Sequence, residues 1–196
     1  MLNNLIFRKA QEWILSDTCT VRPLFDHINH NGNLREAQIQ ALLVYLFLKI
    51  QGGNKPLSTL FSENFFGNDE DLSNLNINQN LRDILSSNKS AKALFDLSRT
   101  PIKGSSKKSQ ATLFPELEKY IISNPNKIDY ENVGKEIFYG VDYPDYLFSL
   151  PMGAGKTFLM ASLIYLDLYF ALNEPDNPKF AHNFLILAPS GLKSSI

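Results

Sequence analysis

Tyr146-Leu-Phe-Ser-Leu-Pro-Met-Gly-Ala-Gly-Lys-Thr157 decides how the rest of this chain is read. A short apolar run, Tyr146 to Leu150, leads into a glycine loop. An apolar stretch from Phe158 to Leu172 follows, long enough for a helix. Within the loop, Gly153 and Gly155 let the backbone turn sharply and bring its N–H groups close to an anion. Lys156 then meets the outer phosphates of a nucleotide as a point charge, and the Thr157 hydroxyl stands where it would ligand Mg²⁺. The full phosphate-loop pattern also asks for a glycine five residues before Gly155, where this chain has Leu150. The shorter core, Gly153-Ala154-Gly155-Lys156-Thr157, remains.

Downstream, Phe184-Leu-Ile-Leu-Ala188 is a second unbroken apolar run, closed by Pro189-Ser190-Gly191. Runs of this kind suit a parallel strand buried on both faces. Strand, phosphate loop, helix and strand predict a βαβ unit. The segment from Tyr146 to Ile196 resembles the start of the first RecA-like motor domain of superfamily 2 helicases, the broad group that includes the DEAD/DEAH-box proteins. It is most similar to the helicase subunits of type I and type III restriction enzymes. Gly153 to Thr157 matches motif I of that group, and Phe184 to Ser190 matches its motif Ia.

Upstream, Leu34-Arg-Glu-Ala-Gln-Ile-Gln-Ala41 is similar to the Leu-Arg-x-x-Gln-x-x-Ala segment that precedes motif I in the same group. The resemblance implies that Gln38 reads the adenine edge with Arg35 in support. A Gln amide offers both the donor and the acceptor this needs. It also implies ATP and Mg²⁺ as cofactors, with Lys156 and Thr157 catalytic, Thr157 the metal ligand, and Gly153 to Thr157, Gln38 and Arg35 holding the nucleotide. Pro189 and Ser190 would touch nucleic acid. The partners implied are duplex DNA and attached nuclease or methyltransferase subunits.

The fold class expected is therefore α/β, a partial RecA-like phosphate-loop domain of parallel strands with helices, preceded by a mostly helical N-terminal region and an insertion. Residues 1–51 are N-terminal helices carrying the Gln segment, 52–145 a polar, mostly helical insertion, and 146–196 the start of the motor domain. No apolar strand ending in Asp-Glu follows Pro189. The reading is thus of the ATP-binding N-terminal part of a DNA-dependent ATPase, with the 196-residue chain inactive by itself. Two alternatives stay open: another phosphate-loop enzyme such as a small-molecule kinase, or a nucleotide-binding fragment without activity.

Charge and cysteine content narrow the classes. The net charge is −1, so any contact with a polyanion must come from a local patch. Arg99 to Gln110 is one such patch, with Arg99, Lys103, Lys107 and Lys108 and no acid, although a solvated connector has the same composition. Cys19 is the single cysteine, which excludes an internal disulfide and fits a reducing compartment. The N-terminus lacks the pattern of a signal peptide, and no apolar run suits a bilayer, so a soluble cytoplasmic protein is expected. Cys19, His27 and His30 match no zinc spacing and read as a surface loop.

Helical spacing places Leu5, Ile6, Ala10, Trp13 and Ile14 on one face of a first helix. A second runs from Leu34 to Ile50, with Asn33 expected as its N-cap and Gly52-Gly53 as its stop. In the insertion, Leu81 to Leu85 and Ala91 to Leu97 read as short surface helices. Pro115 to Ser123 reads as a helix with Pro at its first position, and Lys127 to Tyr139 as another.

Overall fold

The computed structural model describes residues 2–67, 71–101, 112, 114–141 and 143–187. These divide into two compact units. Residues 55–145 form one; residues 2–54 and 146–196, which flank them in sequence, form the other.

In the flanking unit, α1 (Leu2–Ile14) and α3 (Glu36–Leu46) pack together. The apolar face of α1 is buried as its spacing predicts: Leu5, Ile6, Ala10, Trp13 and Ile14 are all in the core. The Trp13 ring leans on Phe47, with centroids 5.7 Å apart. Residues 22 to 31, expected as loop, form α2 (Arg22–Asn31) instead. Pro23 sits in its first turn and Phe25 anchors it. His27 and His30 are exposed along it.

The second predicted helix is real but ends differently from an ordinary α-helix. After Leu46 the chain passes into a π-helical turn, Phe47–Gln51, closed by the Gly52 N–H on the Phe47 carbonyl at 2.9 Å. Gly53 then takes φ +66°, as expected of a helix stop. At the other end Asn33 does not cap α3. It occupies the left-handed region at φ 48°, and Arg35 is the N-cap residue.

Helix α9 (Lys156–Asn173) starts directly at the phosphate-loop lysine. The expectation of an α/β, RecA-like parallel sheet is not met. Among the described residues there is no strand, and the single isolated bridge, Pro101 with Thr112, is antiparallel and in the other unit. Residues 146–150 and 184–187 join no ladder. A parallel strand needs hydrogen-bonded neighbours and apolar cover on both faces. These segments have neither: Leu147, Leu185 and Leu187 are 93%, 85% and 87% exposed. Tyr146, Phe148 and Leu150 are half-buried, whereas Phe184 and Ile186 stay 38% and 42% exposed, so the apolar runs encode extended segments beside α9 rather than a buried sheet.

The intervening unit is built on α6 (Lys89–Ser98). Its apolar residues look too sparse for a core helix, yet Ala91, Ala93, Leu94, Phe95 and Leu97 are all buried, correcting the surface assignment. Four helices surround it: α4 (Leu57–Ser62), α5 (Gln79–Ser87), α7 (Pro115–Ser123) and α8 (Tyr130–Ile137). Phe61 packs on Phe138 at 5.3 Å between centroids, and Gly134 of α8 faces the Phe61 ring. Asn78, Asn88 and Asp129 cap α5, α6 and α8, each accepting a hydrogen bond from the first turn. No helix among the described residues is long and apolar enough to cross a membrane.

Candidate nucleotide-binding site

The glycine loop takes the shape its composition allows. Gly153 and Gly155 have φ +76° and +77°, a region open to glycine and costly for other residues. The Ala154 N–H donates to the Pro151 carbonyl at 3.2 Å, closing the turn, and Ala154 is buried. Gly155 is the N-cap of α9, and the first intrahelical bond runs from the Leu159 N–H to the Gly155 carbonyl at 3.1 Å. The amides of Lys156, Thr157 and Phe158 thus head the helix without a backbone acceptor among the described residues. They face the side from which an anion would approach, with the positive end of the helix dipole behind them. Lys156 and Thr157 are exposed, and Lys156 makes no ion pair among the described residues.

The segment expected to read the adenine edge contacts the loop instead. Gln38 Nε2 donates to the Gly155 carbonyl at 2.9 Å. An Arg35 guanidinium N–H donates to the Gly153 carbonyl. These contacts join positions 117 and 118 residues apart. Arg35 thereby brings a second cation to the loop beside Lys156.

The Gln38 amide is committed at both ends. Its Oε1 accepts from the Arg35 N–H at 2.8 Å, the reciprocal half of a capping box, while its Nε2 holds Gly155. Gln38 is buried, so in this conformation it fastens the loop to α3. The approach is close: a Cβ built on Gly155 would lie 2.5 Å from Gln38 Nε2, whereas one on Gly153 would meet nothing within 4 Å.

Beyond the loop, α3 and α9 share a buried polar cluster that the sequence reading did not single out. The Tyr45 hydroxyl donates to Asp167 Oδ2 at 2.6 Å. Lys49 Nζ donates to the same oxygen at 3.2 Å and lies 3.1 Å from Oδ1. That second approach is an ion pair without hydrogen-bond alignment. All three residues are under 9% exposed. Burial first, then the hydrogen bond to Asp167, pushes the Tyr45 phenol well above its ordinary range, so it stays a donor. The available signal was a lone acid in an apolar helix and a lone lysine in another.

A cavity of about 440 Å³ lies along α9, lined mainly by Phe148, Leu150, Leu159, Leu163, Ile164 and Phe184, with Lys156 and Asp167 at its polar margins. Its apolar lining does not suit a triphosphate.

Pro189 and Ser190, the expected nucleic-acid contacts, lie outside the described residues. So do Lys103, Lys107 and Lys108 of the basic stretch, while Arg99 pairs with Glu118 at 3.5 Å and lies over the Phe95 ring. For Mg²⁺, no group of three His, Cys, Asp or Glu side chains stands together among the described residues. A hard oxygen set of the Thr157 hydroxyl, phosphate oxygens and water fits the ion without one. No family model, no curated protein and no solved structure matches this chain.

Proposed function

We propose that this chain binds ATP with Mg²⁺ on the Gly153–Thr157 loop, as the nucleotide-binding part of a helicase-type, DNA-dependent ATPase. One observation carries the reading: Arg35 and Gln38, expected from the sequence to serve the adenine, grip the carbonyls of the phosphate loop and so belong to the same site. The loop amides and Lys156 would receive the β- and γ-phosphates, and Thr157 would hold Mg²⁺ with phosphate oxygens. Arg35 would add a second positive charge at the loop edge.

The Gln segment favours a helicase-type ATPase over a metabolite kinase, because the resemblance places such a segment upstream of motif I in that group. Stepping along DNA requires the parallel sheet of a motor lobe, which the described residues do not form. The geometry therefore supports the nucleotide-binding step in particular. A fluorescent ATP analogue titrated onto the full chain tests it. Saturable, Mg²⁺-dependent binding that unlabelled ATP competes away is expected, while phosphate release stays near background. Absence of saturable binding would overturn the proposal, and transfer of phosphate to a metabolite would return it to the kinase alternative.

A further inference from the structure

Gln38, Tyr45 and Lys49 lie seven and then four residues apart, close to whole turns of a helix, so they form one stripe. That stripe meets α9 at two places. Gln38 holds Gly155 at the start of α9, and Tyr45 and Lys49 hold Asp167, twelve residues further on. The two helices therefore run parallel over this length. At about 1.5 Å per residue, Gln38 to Lys49 spans about 16 Å and Gly155 to Asp167 about 18 Å. Both contacts close together in only one register, since a slip of one turn, about 5.4 Å, would break both.

An apolar contact between α3 and α9 would tolerate such sliding. A buried carboxylate with two fixed donors does not, because each unpartnered polar group left in the interior is costly. The π-helical turn contributes to this geometry, since Lys49 stands within it, four residues after Tyr45. The Lys49 ammonium also lies 5.8 Å from the Tyr45 ring centroid, which braces the two donors against each other.

We infer that Tyr45 and Lys49 are positioning residues for the glycine loop: by holding Asp167 they set the register of α9 against α3, and so keep Gln38 and Arg35 on the loop carbonyls. They touch no nucleotide and act through Gln38 and Arg35. The consequence for affinity rests on the nucleotide-binding reading; the consequence for loop geometry does not.

The test uses the full chain with Tyr45→Phe, which keeps the ring and removes the hydroxyl. Hydrogen exchange of the 151–158 amides, the Kd for MgATP and the Tm are measured together. Exchange in the loop is expected to rise about tenfold and Kd to rise by a similar factor, while α2 amides keep their protection. In a Gln38→Ala background, Tyr45→Phe is expected to add less than about twofold to either, because the path through Gln38 is already cut. Lys49→Arg, which retains the ion pair, should lie near wild type, and Lys49→Met should raise loop exchange and Kd at least as much as Tyr45→Phe, together with a larger fall in Tm.

A fall in Tm with unchanged loop exchange would overturn the inference, as would effects that multiply fully in the double variant. If the wild type bound no nucleotide, only the nucleotide reading would fall, and loop exchange would still decide the role of Tyr45 and Lys49.

Discussion

Gln38 donates its side-chain N–H to the carbonyl of Gly155 at 2.9 Å, and a Cβ on Gly155 would lie 2.5 Å from that nitrogen. The glycine is thus required twice, for its φ of +77° and for the space Gln38 occupies. Gly153, with a similar φ but nothing within 4 Å, is required once. Gly153→Ala is expected to cost about 1 kcal/mol of stability from backbone strain alone. Gly155→Ala should cost clearly more and also release Gln38, raising the Kd for MgATP about tenfold or more. Urea unfolding and nucleotide titration of the two variants side by side check this; equal effects would mean that Gln38 does not press on the loop.

The Lys49–Asp167 pair is buried, with both residues 6% exposed. Removing one partner strands a buried charge, so Lys49→Met and Asp167→Leu are each expected to destabilise by about 3–5 kcal/mol. The double variant should recover part of that loss, since it removes the uncompensated charge while leaving the buried Tyr45 hydroxyl without its acceptor. A denaturant double-mutant cycle measures it, and simple additivity would show that the two do not act as a pair.

Tyr146 and Tyr45 give the fold an alkaline limit. Burial pushes the Tyr146 phenol up to about 12, and burial with the Asp167 contact raises Tyr45 as well. In the unfolded chain both titrate near 10. Between those values the unfolded state loses its phenolic protons first, so stability is full below about pH 10 and falls as pH rises towards 12. These two, with Tyr130, which burial also raises, are expected to ionise late in a titration followed by phenolate absorbance, and Tyr146→Phe and Tyr45→Phe should each remove one late proton. Uniform titration of all tyrosines near 10 would contradict their burial.

In the other unit, Asn88 ends α5 and caps α6 through its side-chain oxygen on the Ala91 N–H at 3.0 Å. Asn88→Ala is expected to cost about 1 kcal/mol. Phe95→Ala, which empties the buried centre of α6, should cost about 3–5 kcal/mol. Chemical denaturation of both variants separates the cap from the core, and a mild effect at Phe95 would restore α6 to the surface.

Local signals carried much of this structure. The apolar stripe of α1, the proline that opens α7 and the loop-to-helix junction at Lys156 each depend on neighbouring residues only, and each stands where the sequence places it. What failed depended on distant partners. The runs at 146–150 and 184–187 have the composition of buried strands, but a strand exists only with a neighbour to bond, and the described residues supply none. Helix α6 looks polar because its core is made of Ala and Leu flanked by Ser and Lys, and its burial comes from the four helices around it. At the site, motif similarity picked out Arg35 and Gln38 but gave them the adenine, and their hold on the loop carbonyls was not legible, because it depends on a contact across 117 and 118 positions. The Tyr45–Lys49–Asp167 cluster was not, because a single acid in an apolar helix gives no sign of which basic residue will meet it.

Calorimetric titration of MgATP into the full chain and its Lys156→Ala variant bears most directly on the nucleotide site. One saturable site is expected in the wild type, weakened at least about tenfold, or about 1.4 kcal/mol, by Lys156→Ala, with the fold unchanged. Equal binding by both proteins, or no binding by the wild type, would contradict it.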